Sequence, residues 1–249
     1  MWTNTRALGR QKLEPGTDDT GVLEQLKRIY SLIGQSDRPV ISVDVGAYIG
    51  VISLAMAQFG PPRHFIHCFE ADDLNYSRLK QNISPSLRAT ITVHNKAVAN
   101  YVGVSKFTRY KDPGNNHLGT EQNPIDILDS FHQVSVTTLD VFVDEAQIDV
   151  IDVLKIDVEG FDLSVLHGAR AILEKKRINV IVIETPTHAR GRNELKEFLE
   201  THGFVTNYIV RNSTALTEIS ESAFNRHDKT PLNMLAIRSD LTDQLNTVL

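Results

Sequence analysis

The stretch Val40-Ile41-Ser42-Val43-Asp44-Val45-Gly46-Ala47-Tyr48-Ile49-Gly50 decides how the rest of the chain is read. Residues 40–45 are short, apolar and β-branched, the composition of a strand covered on both faces in a parallel sheet. An acid and two glycines four apart follow at once. A helix starting near Ile49 then runs to Phe59, where Gly60-Pro61-Pro62 stops it. Glycine at 46 lets the backbone turn sharply and approach a ligand closely, and Gly50 lets the new helix lie tightly on the strand. The start of that helix presents N–H groups with no partner inside it.

The alternation continues downstream. Strand 64–69, helix 74–83, strands 89–93 and 150–156, helix 163–174, strand 179–183 and helix 193–202 follow in order, and strand-like stretches 205–210 and 232–237 close the chain. This order specifies an α/β fold with a mostly parallel sheet and helices on both faces. Segment 101–149 breaks the rhythm. It reads as an inserted β-hairpin and loop at the C-terminal edge of the sheet, with strands 106–110 and 134–139 and a Gly/Asn/Pro-rich connection, 112–124, carrying Asn116 and His117. Connections of this length are usually functional lids or disordered; this one is expected to shape an acceptor pocket, the alternative being a disordered solvent loop. Upstream, residues 1–20 are a polar lead-in. Val22, Leu23, Leu26, Ile29, Tyr30 and Ile33 then recur at three and four, which predicts an amphipathic helix over 21–33. Its apolar face has two candidate seats, the domain itself or a second copy of the chain in a homodimer. The chain is accordingly divided into 1–37, polar segment plus helix, and 38–249, the ligand-binding domain.

Of 249 residues, 41% are hydrophobic and 23% charged, ordinary values for a globular protein. A formal charge of -5 runs against a general nucleic-acid partner, which needs a concentrated basic face. The one cysteine, Cys68, makes neither an internal disulfide nor a multi-cysteine zinc site. With no apolar run of about 18 residues, the expectation is no membrane partner and a reducing, cytoplasmic setting.

The glycine spacing is G-x-x-x-G, whereas a dinucleotide pyrophosphate wants G-x-G-x-x-G. Asp44 would repel a pyrophosphate and suits an amine-bearing ligand. S-adenosylmethionine has an amine, a carboxylate and a sulfonium and no phosphate; the alternative is a tight turn with no ligand. Glu70 ends the second strand, where an acid accepts both ribose hydroxyls of a nucleoside; the alternative is a surface acid ahead of a helix cap. At the end of the third strand, Asn95 and Ala97 are placed for the adenine edge.

A second constellation follows strand 150–156, where Asp157 and Glu159 stand two apart, on one side if the strand continues. Neighbouring carboxylates raise one pKa, which suits a general base; the alternatives are a helix cap or a pair with Lys155. Glu184 and His188 end the next strand as candidate bases or metal ligands. Hard oxygens from Asp157, Glu159 and Glu184 would suit Mg2+, and His188 would shift the preference toward a transition metal. His167 reads as a packed or solvated residue.

These residues resemble the FkbM family of S-adenosylmethionine-dependent methyltransferases over 40–238. The likeness rests on residues 43–50, on Cys68-Phe69-Glu70-Ala71 with Leu79 and Asn82, on Thr137-Thr138-Leu139-Asp140, on residues 154–160 continuing through Val165-Leu166-His167-Gly168-Ala169, and on Asn233-Met234-Leu235-Ala236. The chain departs where the family has Phe-Glu-Pro, here ending in Ala71, and where it often has Asn, here Tyr48. The resemblance implies a Rossmann-like class I fold whose seven-stranded sheet has an antiparallel last strand. It implies S-adenosylmethionine as cofactor, held by Asp44, Gly46, Ala47, Tyr48, Gly50, Glu70 and Ala71 with Asn95 and Ala97. It also implies methylation of a hydroxyl on a sugar, polyketide or other small-molecule acceptor. The paired carboxylates themselves make Asp157 the expected base, with Glu159 holding it or the substrate. N-methylation on the same fold, a non-catalytic nucleoside-binding scaffold and a nicotinamide-dependent oxidoreductase are the rival readings.

Overall fold

The computed structural model describes residues 19–34, 37–84, 87, 89–108, 117–118, 132–186, 188–209, 216–217 and 233–242. In chain order, α1 (Asp19–Ile33) is followed by β1 (Val40–Val45), α2 (Val51–Phe59), β2 (His64–Phe69), α3 (Asp73–Asn82) and β3 (Thr90–His94). Then come β4 (Ala97–Val98), β5 (Gly103–Thr108), β6 (His117–Leu118), β7 (His132–Thr137), α4 (Leu139–Glu145) and β8 (Ile151–Ile156). The last part holds α5 (Asp162–His167), α6 (Arg170–Glu174), β9 (Ile178–Glu184), α7 (Ala189–Thr201), β10 (Phe204–Ile209), β11 (Leu216–Thr217) and β12 (Asn233–Arg238).

The main sheet has the order β11-β10-β12-β9-β8-β1-β2-β3. Strands β3, β2, β1, β8 and β9 run parallel, and β12 is antiparallel to both β9 and β10. That is the expected seven-stranded sheet with a reversed last strand, extended by a two-residue edge strand, β11. Alternation along each strand sorts the apolar side chains into two cores. Val43, Val45, Leu154, Ile156, Ile181 and Ile183 face α4–α7, while Val40, Val153, Val180 and Val182 face α1–α3.

The amphipathic helix takes the first of its candidate seats. Val22, Leu26, Ile29 and Tyr30 of α1 are buried on the sheet and α2. The Tyr30 hydroxyl bonds Ser42 Oγ at 2.7 Å, and Ser42 Oγ bonds His64 Nε2 at 2.8 Å. In a dry site such a chain fixes position as well as energy. Burial pushes the Tyr30 hydroxyl far up and the His64 imidazole down to about 4, so the chain is neutral.

Two expectations are corrected. The strand expected over 134–139 ends at Thr137, and α4 follows, because the Thr138 hydroxyl accepts the Val141 N–H and Leu139, Phe142 and Val143 form one buried face. The helix expected over 163–174 is two helices broken at Gly168-Ala169. The break is imposed from outside. The Asp140 N–H donates to the Gly168 carbonyl, and the Asp140 carboxylate accepts the Ala171 and Ile172 N–H groups at 3.0 Å each. A Cβ on Gly168 would lie 2.1 Å from the Ala99 carbonyl oxygen, so the chain passes there only as glycine.

The insert contains the expected antiparallel hairpin, β5 with β7, inside a second sheet of order β4-β7-β5-β6. Of the connection 112–124, only the backbone of His117 and Leu118 is described, as β6; Asn116 lies outside the described residues, and so does the pocket expected of it and of the His117 side chain. Among the described residues no helix is long and apolar enough to cross a membrane.

Replacing Asp140 with Ala strands two helix N–H groups at once. Thermal unfolding followed by circular dichroism is expected to show a loss of about 1–3 kcal/mol, while Asp140→Asn, which keeps one acceptor oxygen, loses less.

Candidate functional site

The turn after β1 is closed by the backbone. The N–H groups of Gly46 and Ala47 both donate to the Phe69 carbonyl, at 3.0 and 2.9 Å, and the Gly50 N–H donates to the Ala47 carbonyl at 2.8 Å. Gly46, Tyr48 and Gly50 have φ of 80, 50 and 93°. Left-handed backbone suits glycine and, next best, Asn, which gives a reason for the family's frequent Asn where this chain has Tyr48. What lies against Gly46 is protein: a Cβ there would sit 1.8 Å from the Asp157 carbonyl oxygen. The Asp157 N–H in turn donates to the Val45 carbonyl at 3.0 Å. Gly50 differs: a Cβ there would meet the movable end of Leu79 of α3, 2.4 Å away at Cδ1, and its need for glycine is the left-handed turn at φ 93°.

Beside this turn is a small cleft of about 50 Å³, walled by Gly46, Phe69, Glu70, Ala71, Lys96, Ala97, Val98, Phe107, Val158 and Phe161. Of the residues chosen from sequence, Gly46, Glu70, Ala71 and Ala97 reach it directly. Ala47, Tyr48 and Gly50 shape the turn behind it. The Glu70 carboxylate accepts the Tyr48 N–H on one oxygen and the Asp72 N–H on the other, both at 2.8 Å. Burial pushes its carboxyl up to about 8. Asn95 does not line the cleft; its amide donates to the Glu70 and Ala71 carbonyls at 3.0 and 3.1 Å and ties down the loop after β2. Asp44 is also behind the wall. It shares the strand face of Ser42, its carboxylate is fully buried under α2, and it accepts the Ser53 hydroxyl.

The second constellation meets the first at the Asp157–Gly46 contact. Strand β8 ends at Ile156, and the chain then turns through Glu159 and Gly160, at φ of 51 and 88°. Asp157 and Glu159 are therefore brought together by a turn and not by strand alternation. Their carboxylate oxygens and that of Glu184 lie within 4.8 Å of one another. Asp162 pins the turn by accepting the Val158 and Gly160 N–H groups, at 3.3 Å each. Val158 and Phe161 face the first cleft, while Glu159 and Gly160 face a second, of about 480 Å³, bounded by Asp162, Leu163, Glu184, Thr185, Pro186, His188, Gly191, Glu194 and Leu195.

Electrostatics divide the carboxyls. Burial opposes ionisation of Asp157, but the Lys155 ammonium, 2.7 Å away, and a hydrogen bond with Glu184 hold its carboxyl below the usual range. Burial first, and then the Asp157 and Glu159 charges, push Glu184 up to about 9. The raised partner expected from crowding is thus Glu184, and Asp157 is the ionised one. Burial, then the Asp157 charge, raises Asp162 to about 6.

His188 Nδ1 accepts the Gly191 N–H at 3.0 Å and caps α7; it is not one of the clustered carboxylates' partners. His167 packs edge-on to Phe198, 4.9 Å between centroids. Sequence reading missed Lys96, Val98, Phe107, Val158 and Phe161 as cleft residues. Phe161 had a signal, an aromatic directly after the Glu159-Gly160 turn, and Phe107 had none, since it arrives from the inserted sheet.

Two expected outcomes follow from this geometry. Gly46→Ala clashes with a backbone carbonyl and is expected to abolish both folding yield and cofactor retention. Gly160→Ala, whose Cβ meets nothing within 4 Å, is expected to cost only the left-handed strain of about 1–2 kcal/mol; comparative thermal unfolding checks both. Glu184 keeps its proton to about pH 9 when folded but only to 4.5 when unfolded. Its contribution to stability is therefore full below 4.5 and drains away as pH rises through 9. Glu184→Gln, which keeps a donor toward Asp157 without the charge, is expected to flatten the fall in Tm with rising pH.

Three comparisons with known proteins bear on this geometry. No curated protein matches the chain. Among solved structures it is similar to the precorrin-6y C5,15-methyltransferase of Geobacter metallireducens GS-15, at 12% identity over 87% of this chain and 86% of that one, with a TM-score of 0.47. It is also similar to the METTL16 MTase domain, at 16% identity over 86% and 66% with a TM-score of 0.49. An rRNA methylase from Streptococcus thermophilus stands at 10% over 86% and 93%, TM-score 0.48. The model of the methyltransferase FkbM domain matches residues 44–215, from the acid of the first turn to beyond β10. The chain belongs to the FkbM methyltransferase family, S-adenosylmethionine-dependent enzymes on a Rossmann-like class I fold.

Proposed function

We propose that this protein methylates a hydroxyl oxygen of a sugar, polyketide or similar small metabolite. The observation that carries the proposal is Asp157, ionised and held by Lys155, at the start of the loop whose Val158 and Phe161 line the smaller cleft and whose Glu159 and Gly160 line the larger. The smaller cleft is assigned to the cofactor because Glu70 and the Gly46 turn both border it and the turn has the spacing G-x-x-x-G in place of a pyrophosphate-binding G-x-G-x-x-G. Glu70 would take the ribose hydroxyls, Ala71, Ala97 and Phe69 the adenine, and the Gly46 turn the methionine end. When bound, the cofactor supplies an electrophilic methyl on sulfonium sulfur.

The chain's own work is alignment, water exclusion and proton transfer. The larger cleft holds the acceptor with its hydroxyl toward Asp157. As the new O–C bond forms and the C–S bond breaks, the attacking oxygen becomes strongly acidic. A carboxylate of low basicity then suffices to take its proton. Lys155 keeps Asp157 ionised until that moment, Glu184 donates to it from the other side, and Glu159 orients the acceptor. A specific observation also favours a second reading: three hard oxygen donors within 4.8 Å are the chemistry of an Mg2+ site.

Incubation with labelled S-adenosylmethionine and metabolite pools, followed by mass spectrometry, is expected to reveal a hydroxylated compound that gains about 14 Da. Label on nitrogen, or no label with cofactor bound, would replace this reading by N-methylation or by a non-catalytic binding role. Asp157→Asn is expected to lower turnover by about 10²–10⁴-fold while S-adenosylhomocysteine affinity stays unchanged. Glu70→Ala is expected to weaken that affinity by about ten-fold or more. Turnover that survives chelation favours the metal-free reading; loss restored by Mg2+ favours the second.

A further inference from the structure

Leu79 and Asn82 belong to the stretches in which this chain resembles its family, yet neither is on the wall of either cleft. Both act on the turn after β1. They stand three apart and so share one face of α3. The end of Leu79 packs at Gly50, 2.4 Å from where a Cβ would lie. The Asn82 amide donates to the Ile49 carbonyl at 2.9 Å.

That turn needs holding. Gly46, Tyr48 and Gly50 are left-handed, and at Tyr48 a bulky side chain sits on backbone that disfavours it. Strained backbone of this kind persists only where its surroundings over-determine it, and it gathers at ligand clamps. The Phe69 carbonyl takes the Gly46 and Ala47 N–H groups, and the Glu70 carboxylate takes the Tyr48 N–H. These bonds fix the near half of the turn. The far half, Ile49 and Gly50, leads into α2, whose cap residue is Gly50 and makes no side-chain cap. There α3 braces it. The same helix also starts at the site. The Asp72 N–H donates to the other Glu70 oxygen, and the Asp72 carboxylate caps α3 by accepting the Leu74 and Asn75 N–H groups at 2.9 Å each. One ten-residue helix therefore begins beside the acid assigned to the ribose and ends on the turn assigned to the methionine.

Resting on the reading above that the Gly46 turn takes the methionine end of the cofactor, we infer that Asn82 is a positioning residue for that end. It does not border the cofactor cleft and acts through the Ile49 carbonyl. By fixing the far half of the turn it keeps the strained segment in its binding shape before the cofactor arrives, so the cost of ordering that segment is not subtracted from affinity. The ribose acid has other supports. The Glu70 N–H donates to the His94 carbonyl at 3.1 Å, the Asn95 amide donates to the Glu70 carbonyl, and the Asp72 N–H holds the carboxylate. Loosening Asn82 therefore weakens the grip on the methionine end and spares the nucleoside.

The test compares S-adenosylhomocysteine with adenosine, which keeps the base and ribose and lacks the methionine end, by calorimetry on the whole chain. The unaltered chain is expected to bind S-adenosylhomocysteine the more tightly. Asn82→Ala, and Asn82→Leu, which keeps the bulk without the donor, are each expected to weaken S-adenosylhomocysteine by about five-fold or more, the worth of one hydrogen bond, and to leave adenosine within about two-fold. A merely structural role moves both ligands alike or neither, and either result would overturn the inference. The unaltered chain gives a second reading that does not depend on the variants folding. Hydrogen exchange of the Asn82 side-chain amide is expected to slow with S-adenosylhomocysteine bound and not with adenosine bound; equal slowing, or none, overturns the inference. If the unaltered chain binds adenosine as tightly as S-adenosylhomocysteine, the turn does not hold the methionine end, and the cofactor placement fails first and takes this inference with it.

Discussion

A bare Cα facing a carbonyl oxygen holds this site together. Gly46 closes the turn after β1, Asp157 opens the turn after β8, and any side-chain carbon at 46 would occupy the Asp157 oxygen. The two strands are neighbours in register, Val45 beside Ile156, so the turns leave the sheet side by side and have nowhere to go but against each other. The Asp157 N–H on the Val45 carbonyl extends the ladder one bond past the last paired residues. The consequence is functional: the wall of the smaller cleft and the base of the larger are one piece of backbone, and neither can shift without the other.

Around that contact the acids are divided by what each can reach. Glu70 meets two backbone N–H groups and Asp157 meets an ammonium. Glu184, at the end of the next strand, is buried and faces the Asp157 and Glu159 charges, and so keeps its proton. Lys155 is the residue that sets this order. It is buried and has the same strand face as Asp157 two residues on, so strand alternation delivers its ammonium to that carboxylate. Removing one member of such a pair strands a buried charge, the costly way to break it.

Much of this was legible in the sequence, and what was not has identifiable causes. Residues 40–50 and 154–160 gave the parallel strands, both turns and the acids at their ends, because strand composition and left-handed glycines are local properties. The sequence reading of the glycines as ligand-facing was half right: Gly46 borders the cleft, yet its necessity comes from Asp157, more than a hundred residues away. The break between α5 and α6 was invisible for the same reason, since Asp140 imposes it from another element. Asp44 and Asn95 were chosen for residue type and position, but which neighbour a polar side chain satisfies depends on packing. Both are spent on the protein's own hydroxyl and carbonyls.

The insert shows most clearly why a site is more than its motifs. Phe107 belongs to a sheet that shares no strand with the main one, and it still closes the cleft opposite Phe161 and Ala71, which pack with it in a separate apolar cluster. The main sheet supplies the charged and glycine-bearing floor, where the chemistry of the cofactor is fixed by the fold. The insert supplies an apolar wall whose shape the strand–helix repeat does not dictate. A family that keeps the floor can therefore vary the wall and the α7 side of the larger cleft without disturbing the Gly46 turn. Acceptor chemistry in this protein is accordingly to be sought in Phe107, Glu194 and their neighbours, not in the residues by which the family is recognised.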